Sequence, residues 1–240
     1  ITPSSSMAEY ASKFMVDKKT NIFGVVPKVV EMQSEAGASG VVHGSATSGV
    51  LSTTFTASQG LLLMIPNMYK IAGELLPCVF HVSARALATH ALSIFGDHSD
   101  VMGVRQTGFC MICSSNVQEC EDMALVSHIA TLKSSIPFLH FFDGFRTSHE
   151  IQKIDDIDEQ KIKEIYPYDK LNEYRARSLN PNTPIQRGTA QNPDTYFQNR
   201  ECCNLYYSNC SDIIELTFKD IEKITGKHYS SFEYYGSSTA

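Results

Sequence analysis

The chain has 240 residues and a mass of 26.7 kDa, which suits one large domain or two small ones. Apolar residues make up 42% and charged residues 19%, a composition typical of folded proteins and unlike that of disordered chains. Lys and Arg total 20 against 26 Asp and Glu, and the net charge of −6 argues against a nucleic-acid-binding surface. The longest strongly apolar run, residues 61–66, is too short to span a bilayer, so neither nucleic acid nor a membrane is expected as a partner.

Five short segments are predicted to be strands, because each is rich in β-branched or aromatic residues or in threonine. They are residues 28–32, 51–56, 78–83, 109–113 and 136–142. Stretches long enough for helices lie between them. This alternation predicts that residues 1–150 form an α/β domain with a doubly wound, mostly parallel sheet.

The clearest helix is predicted over residues 116–133, where apolar residues recur at helical spacing. Residues 115–118 have the sequence of a capping box, and Lys133 lies in the last turn, where the helix dipole favours a cation. Another helix is predicted over residues 61–76, with a kink at Pro66 because proline donates no backbone hydrogen bond. A further helix is expected to open at Glu35, directly after Ser34.

Residues 151–240 differ in composition from the first part of the chain. Charges are dense over residues 155–163, and residues 178–194 hold three prolines and several asparagines, as loops do. Residues 213–224 have the pattern of an amphipathic helix. We interpret residues 151–240 as a loop and helix extension, or linker, that packs on the sheet domain.

Seven cysteines, an odd number without a secretory signal, favour reduced thiols over a disulfide framework. Cys110 and Cys113 have the C-x-x-C spacing of a redox or metal pair, but their neighbours are apolar and no second pair has a suitable spacing. The eight histidines form no metal-binding motif. We therefore interpret the thiols as buried structural residues and assign no metal ligand.

Ligands of open parallel sheets bind at the edge where the strands end. The residues that follow the predicted strands, together with one that precedes Pro3, are Thr2, Glu35, Ser58, Gln59, Arg85, Asp143, Gly144 and Arg146. Because arginine binds a carboxylate or phosphate through two parallel hydrogen bonds, this set suits a small anionic ligand.

Simpler interpretations exist for several of these residues. Glu35 would also favour a helix N-terminus electrostatically, and Arg85 would also serve in a surface ion pair. The glycines at positions 37, 40, 44 and 49 match no phosphate-binding loop and are interpreted as sites of close helix packing. Residues 97–100 have a metal-like composition but are interpreted as a turn.

Several longer strings are distinctive. They are ITPSS at 1–5, EMQSEAG at 31–37, TFTASQGLLLMIP at 54–66, HVSARA at 81–86, SIFGDH at 93–98, FFDGFRTSHE at 141–150 and RGTAQNP at 187–193. Together, and in this order, they resemble pyruvate:ferredoxin (flavodoxin) oxidoreductases over nearly the whole chain.

The resemblance implies that residues 1–150 are the family's N-terminal domain, which has the thiamine-diphosphate-binding fold and holds the aminopyrimidine half of that cofactor. Glu35 matches the glutamate that hydrogen-bonds the aminopyrimidine ring. Thr2 and Arg85 match residues that hold the substrate carboxylate, so Glu35, Arg85 and Thr2 are the expected catalytic residues. Ser58 and Gln59 are expected to bind the cofactor at the same edge.

The resemblance also implies an activity, the oxidative decarboxylation of pyruvate to acetyl-CoA and CO2. Electrons would pass through 4Fe–4S clusters to ferredoxin or flavodoxin. Because the family is longer than this chain, its opening strand is expected before Ile1. The sites for Mg²⁺ with the diphosphate, for coenzyme A and for the clusters are expected after Ala240, so residues 1–240 alone are expected to be inactive.

Two alternatives stay open. One is a variant with a fused flavin reductase that passes electrons to NADP, and the other is a non-catalytic, free-standing domain. A nucleotide-binding module is disfavoured because no phosphate loop is present. The family commonly forms homodimers, and its oxygen-sensitive clusters indicate the cytoplasm or a hydrogenosome-like organelle.

Overall fold

The computed structural model describes residues 2–232 and 234–239. Its strands are β1 (Thr53–Thr56), β2 (Val79–Ala84), β3 (Cys110–Ser114) and β4 (Phe138–Asp143). They form one parallel sheet in the order β1-β2-β4-β3. The α/β class with a parallel sheet is therefore confirmed, and four of the predicted strands are present with ends shifted by one or two residues.

Helices precede, separate and follow these strands. In the described residues they are α1 (Ser5–Val16), α2 (Glu35–Thr47), α3 (Gln59–Leu63), α4 (Ile65–Gly73), α5 (Ser99–Val104), α6 (Val117–Ser134), α7 (Glu159–Ile165), α8 (Tyr168–Ala176), α9 (Pro193–Cys202), α10 (Asn204–Ser208) and α11 (Cys210–Thr225). Short 3-10 turns lie at Arg105–Thr107 and Thr147–His149.

The sheet is covered on both faces. Successive strand residues point to opposite sides, so β2 contributes to two separate cores. Phe80 and Val82 pack with residues of α2, α3, α4 and α5 on one face. Val79 and Phe138 pack with α6 and α11 on the other face. Helices on both sides of one parallel sheet are the doubly wound arrangement that the sequence predicts.

The predicted strand over residues 28–32 is wrong. This segment is irregular, largely exposed and unpaired with any described strand. Pro27 offers no backbone donor, and the Val29 amide donates instead to the sulfur of Met15 at 3.2 Å. The segment has β-rich composition, but it forms no ladder with any described strand.

The predicted helix over residues 61–76 is two helices. α3 ends at Leu63, and Pro66 lies in the first turn of α4, where its missing amide hydrogen breaks no helical hydrogen bond. The predicted kink is thus a break followed by a new start. Met64, between the two helices, is fully buried and anchors the break in the core.

The cap of α6 lies one residue later than predicted. Asn116 is the N-cap, and its side chain accepts a hydrogen bond from the Glu119 amide at 2.9 Å. The Glu119 carboxylate accepts in turn from the Ser115 amide at 2.7 Å. A reciprocal cap therefore exists, but Asn116 and Glu119 form it instead of Ser115 and Gln118.

Close packing explains only one of the four glycines. Gly49 has a φ of +81°, and a β-carbon there would lie 2.9 Å from the Ser178 hydroxyl. The glycines at 37, 40 and 44, inside α2, leave ordinary or open space for a β-carbon. The packing interpretation is therefore wrong for these three.

Contacts made by α11 and by Tyr174 join the C-terminal part to the sheet domain. α11 packs on α6, and Phe218 and Ile221 complete the core beneath it. The Tyr174 hydroxyl donates to the carbonyls of Ala46 and Val50, at 2.5 and 3.2 Å. These contacts agree with a packed extension, while the division at residue 150 stays a prediction.

Two cysteines depart from the expected burial. Cys113 and Cys202 are exposed, whereas Cys78, Cys203 and Cys210 are buried. The interpretation as buried structural thiols is therefore wrong for Cys113 and Cys202. Cys113 lies at the end of the edge strand β3, where no described element covers it.

Candidate active site

The carboxylate of Asp100 joins the ends of two strands. Asp100 lies in the first turn of α5 and is fully buried. Its Oδ2 accepts hydrogen bonds from the amides of Ser58 and Arg85, at 2.9 and 3.1 Å. Burial raises the pKa of Asp100, and the amide hydrogen bonds oppose that rise. Asp100 thus fixes the position of the segment after β1 relative to the segment after β2.

Ser58 and Gln59 fasten the segment that begins with Arg85. The Ser58 hydroxyl, which is completely buried, donates to the Ala86 carbonyl at 2.9 Å and lies 2.6 Å from Gln59 Oε1. Gln59 Nε2 donates to the Ala88 carbonyl at 3.0 Å. Both predicted cofactor-binding residues lie at the expected edge, and their side chains already bind the chain's own backbone.

Two buried polar atoms at this edge have no hydrogen-bond partner among the described residues. They are Arg85 Nε, after β2, and Thr56 Oγ1, at the end of β1. Burying a polar group without a partner costs about 1–3 kcal/mol. Unsatisfied atoms at the end of a parallel sheet are the places where a bound ligand restores the missing hydrogen bonds.

Glu35 opens α2 as predicted. Ser34 is the N-cap, and its hydroxyl accepts from the Gly37 amide at 3.2 Å. The Glu35 side chain is exposed, and its carboxylate makes no hydrogen bond or ion pair with the described part of the chain. It lies against α3, since a β-carbon on Gly60 would be 2.7 Å from Glu35 Cγ. Gly60 therefore leaves the space that the glutamate occupies.

The start of the chain reaches the same edge. The Ser4 hydroxyl forms a short hydrogen bond with the hydroxyl of Ser83, near the end of β2. Thr2 lies in the turn before it, is exposed and has no hydrogen bond to the other described residues. Ile1, which begins the first family-like string and follows the expected opening strand, lies outside the described residues.

The end of β4 closes the edge on its other side. The Gly144 amide donates to the Ala84 carbonyl at 2.7 Å, and a β-carbon on Gly144 would lie 2.6 Å from that oxygen. Asp143 accepts from the amides of Phe145 and Arg146. Glycine at 144 is thus required for the close approach of two strand ends, while Asp143 stabilises its own turn.

The remaining motif, residues 97–100, is a turn followed by α5. Asp97 accepts from the Ser99 amide at 2.5 Å, and hydrogen bonding by the Ser99 side chain, followed by that of its amide, lowers the pKa of Asp97. Within residues 2–232 and 234–239, no group of three or more His, Cys, Asp or Glu side chains is arranged to hold a metal ion. In the same ranges, no helix is long and apolar enough to cross a membrane.

The comparisons with known proteins assign the family. Residues 1–219 match the family described as pyruvate flavodoxin/ferredoxin oxidoreductase, thiamine-diphosphate-binding. The chain belongs to this family. The match covers most of the chain, and the family's description agrees with thiamine diphosphate as the cofactor.

Curated relatives match over the whole chain. It is 61% identical to the pyruvate:ferredoxin oxidoreductase of Moorella thermoacetica and 58% identical to a probable pyruvate-flavodoxin oxidoreductase of Escherichia coli, covering 20% of each. It is 57% identical to the pyruvate dehydrogenase (NADP⁺) of Euglena gracilis, covering 13% of it. The chain thus spans about a fifth, or less, of the length of these relatives.

A solved structure shows the same fold. It is the 2-oxoglutarate:ferredoxin oxidoreductase of Magnetococcus marinus, determined with 2-oxoglutarate, coenzyme A and succinyl-CoA bound. The TM-score is 0.62 at 16% identity, and the likeness covers 88% of this chain and 41% of that one. At this identity the likeness supports the fold alone.

Sequence reasoning missed three residues that build this edge. Asp100 belongs to the segment interpreted as a turn, and Gly60 and Ser4 enter only as members of family-like strings. No local signal in the sequence marks Asp100, because the amides that bind its carboxylate belong to Ser58 and Arg85, which are distant in sequence.

Proposed function

We propose that this chain supplies the aminopyrimidine-binding part of a longer pyruvate:ferredoxin or pyruvate:flavodoxin oxidoreductase, which converts pyruvate to acetyl-CoA and CO2. One observation carries the proposal. An unpaired glutamate carboxylate, Glu35, lies against Gly60 at the same sheet edge as the unpartnered Nε of Arg85. When bound, thiamine diphosphate supplies a thiazolium carbon that attacks the keto carbon of a 2-oxo acid.

Glu35 is proposed to hold and exchange a proton with a ring nitrogen of the aminopyrimidine. Its carboxylate is available for this contact, because no described residue competes for it. The cap at Ser34 fixes the first turn of α2, and Gly60 allows the side chain to lie close to α3. A positioned carboxylate that moves a proton in this way is a general acid–base group.

Arg85 and Thr2 are proposed to bind the substrate carboxylate, with Ser58 and Gln59 bordering the cofactor. The guanidinium offers paired donors, of which Nε is buried and unsatisfied. Asp100 acts as a positioning residue, because it binds the backbone of Arg85 and of Ser58 without reaching the open edge. The arrangement orients the 2-oxo acid while water is kept from the buried donors.

The rest of the reaction is assigned to parts of the protein beyond this chain. These would hold Mg²⁺ with the diphosphate, coenzyme A and the 4Fe–4S clusters, and they would complete a homodimer in the cytoplasm or a hydrogenosome-like organelle. The names of the relatives support ferredoxin or flavodoxin as the electron acceptor. Residues 1–150 would form the cofactor-binding domain and residues 151–240 its extension.

A second candidate has an NADP-linked acceptor. The observation in its favour is the 57% identity to the pyruvate dehydrogenases (NADP⁺) of Euglena gracilis and Cryptosporidium parvum. Reduction of NADP⁺ by the purified enzyme, with pyruvate and coenzyme A but without added ferredoxin or flavodoxin, distinguishes the two. The residues of this chain have the same roles in both.

The proposal is tested in the full-length enzyme by following pyruvate- and coenzyme-A-dependent reduction of a low-potential acceptor. Glu35→Gln should lower kcat by about 10²-fold or more, since it removes a proton-transfer group. Arg85→Leu should chiefly raise the KM for pyruvate. Glu31→Gln, in the exposed segment before α2, is the matched control and should change neither. Wild-type turnover by Glu35→Gln would exclude the assigned role.

A further inference from the structure

A cavity of about 380 Å³ lies where the C-terminal extension meets the end of α6. Residues of α6, α8, α10 and α11 line it. Sites for small molecules typically measure about 300–1,000 Å³, so the cavity has room for a small ligand. One part of its wall is apolar and is formed by Leu132, Leu205, Tyr206 and Ile213.

The cavity lies away from the candidate active site. Ser135, which lines the cavity, comes shortly before the start of β4. Glu35 and Arg85 lie at the opposite edge, where the strands end. Parallel strands all begin at one edge of the sheet and end at the other, so the two sites are at different ends of the sheet.

Three cations line the cavity together with one carboxylate. They are Lys133, Lys170 and Arg177, and the carboxylate is that of Glu173. Lys133 Nζ lies 2.8 Å from Asp220 Oδ2, and Lys170 Nζ lies 2.8 Å from Glu173 Oε1. Arg177 forms no ion pair with a carboxylate in the described part of the chain. Its positive charge is therefore uncompensated, in a protein whose net charge is −6.

A second arginine adds positive charge next to Arg177. Arg187 Nη2 donates to the Arg177 carbonyl at 2.6 Å, and this guanidinium also forms no ion pair with a described carboxylate. Burial lowers the pKa of Arg177, and the charge of Arg187 lowers it further. A bound anion would relieve the repulsion between the two guanidinium groups.

Several polar groups that line the cavity are unused within residues 2–232 and 234–239. Arg177 Nη2 donates to the Leu75 carbonyl at 2.8 Å, but Arg177 Nε and Nη1 make no hydrogen bond. Asn209 is the N-cap of α11, yet its side chain makes no capping hydrogen bond. The Tyr206 hydroxyl has no hydrogen-bond partner either. The cavity thus offers free donors beside an apolar wall.

We propose that this cavity binds a small phosphorylated compound with a ring, of about the size of a nucleoside monophosphate. A phosphate monoester carries about −1.5 to −2 charges at pH 7, which matches the two arginines that lack carboxylate partners. The Arg177 guanidinium offers paired donors to phosphate, and Lys170 offers a point charge. The ring lies against Leu205 and Tyr206. This inference is independent of the proposed function.

The test uses the full-length protein with pyridoxal 5′-phosphate as the probe, because this molecule is a phosphorylated ring that carries an aldehyde. The aldehyde and a lysine amine form an imine and release water, and borohydride reduces the imine to a stable amine. Chymotryptic digestion and mass spectrometry then give the labelled fraction of each lysine. Lys170 should be half-labelled at a probe concentration about tenfold or more below that for Lys153, an exposed lysine outside the cavity.

Preferential labelling of Lys170 would report binding and not intrinsic reactivity. The hydrogen bond to Glu173 raises the pKa of Lys170, so less of its amine is in the reactive, unprotonated form. Adenosine monophosphate should protect Lys170 and leave Lys153 unaffected. Inorganic phosphate at the same concentration should protect Lys170 less, since it has no ring. Equal protection by both would contradict the assigned ring contact.

Matched variants separate the cavity from its surroundings. Arg177→Gln should abolish the preference for Lys170, and Tyr206→Ala, which breaks no side-chain hydrogen bond among the described residues, should weaken it. Arg175→Gln, an exposed position of α8 that does not line the cavity, should keep it.

The wild-type protein decides the result, so a variant that fails to fold does not affect it. The proposal is overturned if Lys170 of the wild type is labelled no more readily than Lys153. It is also overturned if adenosine monophosphate does not protect Lys170.

Discussion

At the scale of single residues, the space beside Glu35 depends on a missing side chain. A β-carbon on Gly60 would lie 2.7 Å from Glu35 Cγ and 2.8 Å from its Oε1. The clash would be with a flexible side chain and not with backbone, so it would move the glutamate and leave the fold in place. Gly60 therefore controls where the proposed proton-transfer group stands.

The Gly60→Ala variant should displace Glu35 without unfolding the protein. Because a displacement of about 1 Å at a reacting group can cost about 10²-fold, turnover of the full-length enzyme should fall roughly tenfold or more. Gly44→Ala is the control, since a β-carbon there meets nothing within 4 Å. It should leave turnover unchanged and raise stability by about 0.5–1 kcal/mol, because alanine favours a helix. Equal turnover in the two variants would contradict the claim that Gly60 controls the position of Glu35.

The sequence predicts the location of Glu35 and Arg85 but not what holds Arg85. Rules for strand ends and helix starts are local, and Glu35 and Arg85 each follow such a pattern. Asp100 binds the amides of Ser58 and Arg85 across the fold, which no local pattern encodes.

At the scale of elements, α6 is docked on the sheet through three linked imidazoles. His81 Nδ1 lies 2.9 Å from His140 Nδ1, and His81 Nε2 lies 3.3 Å from His128 Nε2. His140 Nε2 lies 2.8 Å from the Ser114 hydroxyl, which itself donates to the Glu119 carbonyl. Because a carbonyl only accepts, the Ser114 hydroxyl donates to Glu119 and accepts from His140, and neutral imidazoles must then each donate in the direction of Ser114.

This array makes the protein acid-sensitive. Burial lowers the pKa of His128 to about 4 and of His140 to about 3, and it lowers the pKa of His81 well below its usual range. In the unfolded chain, histidine binds a proton below about pH 6.5. Between that pH and about pH 4, the unfolded state binds more protons, so the free energy of unfolding falls as the pH falls.

The contribution of the array can be isolated by denaturant unfolding at several pH values. His128→Gln removes one buried titrating group. It should reduce the slope of the free energy of unfolding against pH by up to about 1.4 kcal/mol per pH unit over this window. The exposed His90 lies outside the array, so His90→Gln should leave the slope as in the wild type. An unchanged slope for His128→Gln would show that His128 binds the same number of protons in the folded and unfolded states over this pH range.

α11 and the residues after it are fixed to α6 by a buried ion pair. Asp122 is fully buried, and Lys227 Nζ lies 2.9 Å from its Oδ2. The Tyr229 hydroxyl donates to the same oxygen at 2.6 Å. The carboxylate is satisfied by residues that follow α11, so this contact couples the extension to the sheet domain.

Breaking this pair should be costly. Lys227→Met leaves a buried carboxylate without its counter-charge and should lower the free energy of unfolding by about 3 kcal/mol. Lys223→Met removes a comparable pair with Asp220, in which the lysine is 69% exposed. That control should cost less than about 1 kcal/mol. Chemical denaturation of both variants is the measurement, and equal losses would contradict the account of Asp122.

Helices and strands were predictable where the residue composition and the neighbouring elements favour the same structure. The four strands of the sheet and α6 have apolar residues at the period that their burial requires. The segment 28–32 has strand composition, but it pairs with no described strand. α1 buries none of its residues and so left no clear apolar pattern to read.

At the scale of the whole molecule, the extension is held by side chains that bind helix ends. Arg177 Nη2 donates to the Leu75 carbonyl at 2.8 Å, and Arg187 Nη1 donates to the Glu74 carbonyl at 3.1 Å. Both carbonyls follow the last turn of α4, where the helix dipole favours cations. Residues 178–194 have the composition of a loop, yet through Arg187 they bind the end of α4 specifically. Sequence alone does not show this contact.

The proposed active site is open on the side away from the sheet. Glu35 is exposed, and the chain covers 20% of the length of relatives such as that of Moorella thermoacetica. We therefore expect another part of the full-length protein to cover the cofactor and to hold its diphosphate. We propose above all that Glu35, on this chain, controls loss of the proton from the thiazolium carbon.

The most direct measurement is hydrogen–deuterium exchange at the thiazolium C2 of thiamine diphosphate bound to the full-length enzyme, followed by quenching and NMR. The account predicts fast exchange in the wild type and in Glu31→Gln. In Glu35→Gln the exchange should slow by about 10²-fold or more, with the cofactor still bound. Exchange at the wild-type rate in cofactor-loaded Glu35→Gln would contradict the role assigned to Glu35.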